Sequence, residues 1–431
     1  VARTPSTALL TDHYELTMLQ AALASGTAHR RSVFELFPRR LPDGRRYGVV
    51  AGVGRALEAI EAFRFDDDVL AALDGVVDAP TLEWLSSYRF GGDVWGYAEG
   101  EVYLPYSPVL VVESTFAEAV LLETVLLSIY NHDSAIASAA SRMTAAAGDR
   151  PCIEMGSRRT HEEAAVAAAR AAYVAGFVSS SNLAARQRWG VPTTGTSAHS
   201  FTLLHDSEED AFRAQVSSLG AGTTLLVDTY DIAEAVRLGV EVAGTGLGAV
   251  RLDSGDLGVL AQQVRRQLDE LGATSTRIIV TSDLDEFAIG SLAASPVDGY
   301  GVGTQLVTGS GHPTCGFVYK LVSHEGPGGD MVSVAKKSTD KISVGGRKWA
   351  LRRRDAHGVA QAEVVGIGTV PVDDGDDRSL LVPLVRDGEV VGREPLDAAR
   401  ERHLAARAEL PVAAQQMSKG DPVIPTQHVS A

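Results

Sequence analysis

Only two cysteines, Cys152 and Cys315, occur in 431 residues, too few and too far apart for a disulfide framework or a thiolate metal site. Positive charge is also scarce: 39 Lys and Arg stand against 55 Asp and Glu, a formal net charge of −16. General nucleic-acid binding depends on basic surface that displaces counterions, so that class is excluded. Phosphorylated small molecules are not, because a few local cations and backbone N–H groups suffice to hold them. Long apolar runs are missing too. The longest, 116–130, is interrupted by Glu118 and Glu123 and is expected to be a core helix rather than a membrane span. No basic segment followed by an apolar stretch opens the chain, so no secretory leader is expected and a reducing, cytoplasmic setting is the economical reading.

What is present is the mix of a globular chain, 45% hydrophobic and 22% charged, long enough for two or three domains. Helical periodicity runs over 11–24, and short strands are expected at 32–37, 94–99, 101–103 and 109–113. Thr115 to Glu118 has the form of a capping box opening a long helix to about 147. Thr160 to Glu163 has the same form before an Ala-rich helix to about 176. A strand is expected at 151–155. After 317 short strands return, at 317–322, 332–335, 348–353 and 380–384, and a loose polar tail is expected over 418–431.

The middle of the chain repeats a unit. Segments ending in Asp228, Asp253, Asp283 and Thr304 read as strands, each but the last followed by a helix, and their end residues are 25, 30 and 21 apart. Repeated βα units imply a parallel sheet with right-handed crossovers, a barrel rather than an open sheet, and strand ends gathered at one face where ligands bind. The polar residues at those ends are therefore candidate site residues by position. Thr194 to Ser200 places His199 past a Gly-containing turn. A lone histidine is as often structural, but a neighbouring carboxylate such as Asp228 can hold an imidazole in one tautomer and raise its nucleophilicity. Arg251 to Asp256 offers a cation, two carboxylates and a Gly turn. It suits either an ion pair at a helix start or an anionic substrate at Arg251 with a sugar or developing positive charge at Asp253. Thr281 to Asp283 repeats that chemistry. Gly299 to Thr304 offers backbone N–H groups and a hydroxyl to a phosphate, and Arg158 precedes a helix start. Arg39, Arg40, Lys336, Lys337 and Lys341 form basic clusters whose default reading is solvated loop.

In this order and spacing, TDHYELTM (11–18), FELFPR (34–39), GSRR (156–159), GTSAHS (195–200), VDTYD (227–231), RLDSGD (251–256), TSD (281–283), GVGT (301–304) and KKSTDK (336–341) resemble nicotinate phosphoribosyltransferases over about residues 8–350. The resemblance implies an irregular parallel α/β barrel plus a β-rich domain built from both chain ends. The expected parts are 1–112 (β-rich), 113–317 (barrel), 318–417 (completing the β-rich domain) and the 418–431 tail. It implies a homodimer with sites at the subunit interface and a reaction joining nicotinate to phosphoribosyl pyrophosphate, coupled to ATP, in NAD biosynthesis. By resemblance, Tyr14 of the partner subunit stacks on the pyridine ring, and Thr196 and Arg251 contact nicotinate. Asp253 and Asp283 lie near ribose and diphosphate with Mg²⁺. Ser282, Gly303 and Thr304 bind phosphoribosyl pyrophosphate, the last two at its 5-phosphate. Arg39, Arg158, Lys337 and Lys341 approach phosphates or pyrophosphate, while His199 takes a phosphoryl group from ATP and Asp228 orients it. Met155 replaces an aromatic residue often found in the family; its sulfur can still pack on a ring. A nicotinamide-using relative is the nearest alternative. Thr196 and Ser197 with Arg251 suit a carboxylate better than an amide. A quinolinate-using relative would need no phosphorylated histidine, and a ligand sensor without catalysis would not need His199, Asp228, Asp253 and Asp283 together.

Overall fold

The computed structural model describes residues 5–336 and 343–430. The chain divides into two compact units, one of Val1–Ser138 with His312–Ala431 and one of Ala139–Gly311. The first is the β-rich unit drawn from both chain ends. Its larger sheet has seven antiparallel strands in the order Met331–Ser333, Phe317–Glu325, Arg31–Pro38, Leu110–Thr115, Asp93–Tyr97, Leu381–Arg386 and Glu389–Val390. Arg31–Pro38 is central and buried along nearly its whole length. There Phe34 stacks on Tyr319 with ring centroids 4.9 Å apart, an aromatic pair that helps fix strand register.

A second sheet orders Arg378–Ser379, Lys348–Arg354, Ala360–Ile367 and Thr426–Ser430. The last strand corrects the expected loose tail: Thr426–Ser430 pairs in parallel with Ala360–Ile367, from Glu363 opposite Thr426 to Ile367 opposite Ser430. Its backbone groups find partners on that edge, a non-local choice that composition does not reveal.

The barrel unit begins at Ala139, not at 113. The reason is packing. Leu121, Leu122, Val125, Leu126, Ile129 and Tyr130 are all buried in the core cluster of the β-rich unit. The expected single helix from 115 is two, Phe116–Val120 and Glu123–Ala147. Thr115 does cap the first, its hydroxyl accepting the Glu118 N–H at 3.3 Å.

The second unit carries six parallel strands in the order Ser179–Ser180, Cys152–Glu154, Gly299–Val302, Arg277–Ser282, Ala249–Leu252 and Thr224–Leu226. The sheet curls as part of a barrel with two distinct edges. Val250, Leu252, Ile278 and Val280 are fully buried, as strands covered on both faces require. Helices follow the strands, and their starts are set by acids. Asp231 accepts the Glu234 N–H at 2.9 Å and Asp256 the Val259 N–H at 3.1 Å, while Asp285 accepts from Phe287 and Ala288 at 2.9 and 2.7 Å. The Glu162–Val174 helix departs from expectation at its cap. His161, not Thr160, is the capping residue, its Nδ1 accepting the Glu163 N–H at 3.3 Å.

Candidate active site

The carboxyl ends of these strands deliver the expected side chains. Asp253 follows Leu252, Asp283 follows Ser282, Gly303 follows Val302 and Met155 follows Glu154. They open into one cavity of about 590 Å³ whose lining includes Met155, Arg158, Thr196, His199, Arg251, Asp253, Ser282, Asp283, Gly303 and Thr304. Two glycines allow the walls to close in. A methyl group at Gly301 would sit 2.5 Å from Thr281 Cγ2 and 2.7 Å from the Met155 sulfur, and one at Gly156 would sit 2.3 Å from Val307 Cγ1. Glu154 is fully buried. Its carboxylate accepts the Gly156 N–H and the Ser180 hydroxyl, holding the turn that carries Met155 and Arg158, and burial raises its pKa above the usual carboxylate range.

His199 opens the Phe201-containing helix His199–Leu204 and is partly exposed. Its Nε2 lies 4.0 Å from Asp228 Oδ1 and 4.0 Å from Asp253 Oδ2. Its Nδ1 is 3.1 Å from the Thr229 hydroxyl. The expectation that Asp228 orients the ring is thereby corrected in its geometry. At 4.0 Å Asp228 is an electrostatic neighbour and makes no hydrogen bond to the ring. Its other oxygen, Oδ2, is committed to the next strand end, accepting the Asp253 N–H at 2.9 Å and the Ser254 hydroxyl at 2.8 Å. Asp228 Oδ1 is buried and has no hydrogen-bond partner among the described residues. Asp253 in turn accepts the Thr281 hydroxyl, so three successive strand ends are linked by side chains.

Arg251 reaches across to the loop that precedes His199. It donates to Thr196 Oγ1 at 2.9 Å and to the Ser197 carbonyl at 3.1 Å, while its Nε is buried without a partner among the described residues. Burial pulls its pKa below the usual arginine value, and the carboxylates of Asp253 and Asp228 oppose that. A guanidinium fixed in this way at the cavity wall suits an anion.

Comparison with known proteins settles the lineage. The family model described as the nicotinate phosphoribosyltransferase (NAPRTase) N-terminal domain matches residues 9–131. The chain is 58% identical to nicotinate phosphoribosyltransferase pncB1 of Mycobacterium tuberculosis, over 98% of this chain and 95% of that protein. The chain belongs to the nicotinate phosphoribosyltransferase family. It is also 38% identical to the nicotinate phosphoribosyltransferase of Bacillus subtilis, over 80% of this chain and 73% of that one. Among solved structures it is similar to human nicotinic acid phosphoribosyltransferase, with TM-score 0.82 at 25% identity, covering 98% of this chain and 97% of that chain.

Not every residue expected from the family resemblance falls at this cavity. Tyr14, on His13–Ala24, and Arg39 belong to the β-rich unit. Tyr14 is 43% exposed. Burial, followed by the charges of Glu123 and Glu15, pushes its hydroxyl pKa up to about 12. Arg39 lines a different cavity with Arg40, Tyr106 and His312. Lys337 and Lys341 lie outside the described residues. In the other direction, Thr229 contacts His199 without having been assigned a role. Thr229 directly follows Asp228, and its place at a strand end was the available signal. No described helix is long and apolar enough to cross a membrane.

Proposed function

We propose that this chain transfers the phosphoribosyl group of phosphoribosyl pyrophosphate to nicotinate, and that ATP drives the reaction through phosphorylation of His199. One observation carries this reading: the half-buried Arg251, held by Thr196 and Ser197, shares a cavity with His199, Asp253 and Asp283. A cation suited to the substrate carboxylate, acids suited to a sugar cation and an accessible imidazole are the three groups this reaction needs.

The nicotinate ring nitrogen attacks C1 of the sugar as the C1–oxygen bond to pyrophosphate breaks, and the electron pair leaves with that oxygen. Arg251 and Thr196 orient the ring, and Met155 packs beside it. The carboxylates of Asp253 and Asp283 stabilise positive charge on the sugar. Ser282, Gly303, Thr304 and Arg158 hold the phosphates. Asp253 and Asp283 line the cavity, and their carboxylates are the kind of donor that would hold Mg²⁺ there. When bound, Mg²⁺ neutralises charge on the leaving pyrophosphate.

ATP gives its γ-phosphoryl group to a ring nitrogen of His199 and leaves as ADP. Water later hydrolyses the phosphohistidine to phosphate. This makes an otherwise reversible transfer directional without ATP touching the sugar. The working unit is a homodimer in the cytoplasm, with Tyr14 of the partner subunit stacking on the pyridine ring. The test is an assay of ADP release by the purified protein. Release that requires both nicotinate and phosphoribosyl pyrophosphate, and that nicotinamide does not support, is expected. Equal turnover of nicotinamide would replace this reading with that of the amide-using relative, and no turnover of either would leave a ligand sensor.

A further inference from the structure

We infer that Thr229 is a positioning residue for His199, acting through its hydroxyl on ring Nδ1. The contact is 3.1 Å, and it is the ring's hydrogen bond among the described residues. The other nitrogen faces two carboxylates at 4.0 Å, beyond hydrogen-bond reach. Thr229 is itself well placed. It follows Val227, which is fully buried and donates its N–H to the Arg251 carbonyl at 3.2 Å. Two residues on, Asp231 caps the Ile232–Ala243 helix. Thr229 is thus fixed between a buried strand end and a helix start, and its β-branched side chain has little rotamer freedom.

The chemistry of the partner matters. A carboxylate at Nδ1 only accepts and so holds one tautomer. A threonine hydroxyl both donates and accepts. It donates to a bare Nδ1 and accepts from an N–H, so it keeps the ring in place in either neutral tautomer. A neutral partner at Nδ1 leaves the Nε2 edge of the ring facing the two carboxylates at 4.0 Å, as the geometry places it. His199 also sits at the first position of a six-residue helix whose capping residue, Ala198, offers no side-chain bond. The ring is therefore tied to the sheet by Thr229 and, through the preceding loop, by Arg251.

This inference rests on the phosphohistidine reading, and the test separates the two. Thr229→Val keeps the shape and removes the hydroxyl; Thr229→Ser keeps the hydroxyl. Nitrogen-15 NMR of histidine-labelled full-length protein reads hydrogen bonding at His199 Nδ1 from its chemical shift, and quenched-flow labelling with γ-³²P-ATP reads phosphohistidine formation. The valine variant is expected to shift the Nδ1 resonance and to slow phosphorylation at saturating ATP about tenfold, the weight of one hydrogen bond, with KM for ATP within about twofold. The serine variant is expected to match wild type in both. An unchanged Nδ1 resonance in the valine variant overturns the inference, as does wild-type phosphorylation by that variant. Absence of label in wild type would overturn the phosphohistidine reading instead, and the NMR comparison would still decide the Thr229 contact.

Discussion

The carboxylate of Asp228 accepts the backbone N–H of Asp253 at 2.9 Å. One acid at a strand end thereby sets the position of the acid at the next, and the Ser254 hydroxyl joins the same oxygen at 2.8 Å. Asp228→Ala is expected to leave the Asp253 N–H without its partner. The cost is about 1–3 kcal/mol of stability, with kcat/KM for nicotinate falling by more than about 100-fold as Asp253 loses its geometry. Asp228→Asn retains an accepting oxygen and is expected to lose less than about 1 kcal/mol. Chemical denaturation and initial-rate kinetics on the two variants check this. Equal stability of the alanine and asparagine variants would remove Asp228 from the linkage.

Arg251 is expected to distinguish acid from amide. Its guanidinium is held by Thr196 and Ser197 at 2.9 and 3.1 Å, and lysine cannot reproduce that fork. Losing a buried, hydrogen-bonded charge pair costs about 2–5 kcal/mol. Arg251→Lys is therefore expected to lower kcat/KM for nicotinate by at least about 30-fold. Turnover of nicotinamide should change far less. Steady-state kinetics with both bases measure the ratio, and parallel losses would show that Arg251 does not read the carboxylate.

Gly301 tests the packing of the cavity wall. A methyl group there meets Thr281 Cγ2 at 2.5 Å and the Met155 sulfur at 2.7 Å. Gly301→Ala should cost about 1–3 kcal/mol through overpacking and disturb Asp253, which Thr281 contacts. Melting temperature and kcat/KM should fall together. Adding Met155→Ala in the same chain should recover part of the stability, and no recovery would place the clash elsewhere.

Much of the site could be read before the fold was known, because strand ends in a βα repeat are positions as well as residues. Asp253, Asp283 and Thr304 were legible in that way, and the 251–256 acids suited a helix start, which Asp256 caps. Contacts across strands were not legible. The Thr229 hydroxyl on His199 links residues 30 apart in sequence, and neither residue type implies it. The pairing of Thr426–Ser430 with Ala360–Ile367 is lost on a local reading for the same reason. The helices Val53–Ala62 and Leu396–Ala408 went unmarked. The second is polar, with few buried positions to set a period, and Pro395 at its cap makes no side-chain bond.

Glu15 carries a pH signature. It is fully buried and accepts the Thr124 N–H at 3.0 Å. Burial pushes its pKa from 4.5 up to about 7, against the pull of hydrogen bonds from Thr11 and Thr124. A raised folded-state pKa means that the folded protein favours the protonated acid. That stability is fully present below pH 4.5 and is lost as pH rises through about 7. Glu15→Gln should flatten this part of the profile. Thermal melts from about pH 4.5 to 8 are the measurement, and an unchanged slope in the variant would assign the pH dependence to other groups.

The coupling of ATP to transfer through His199 is tested most directly by the ratio of ADP to nicotinate mononucleotide formed by His199→Ala. Wild type is expected to release ADP in step with product. The variant should still form some mononucleotide from nicotinate and phosphoribosyl pyrophosphate, but with no accompanying ADP. If the variant continued to release one ADP for each mononucleotide, energy coupling would not run through this imidazole and the account would fail.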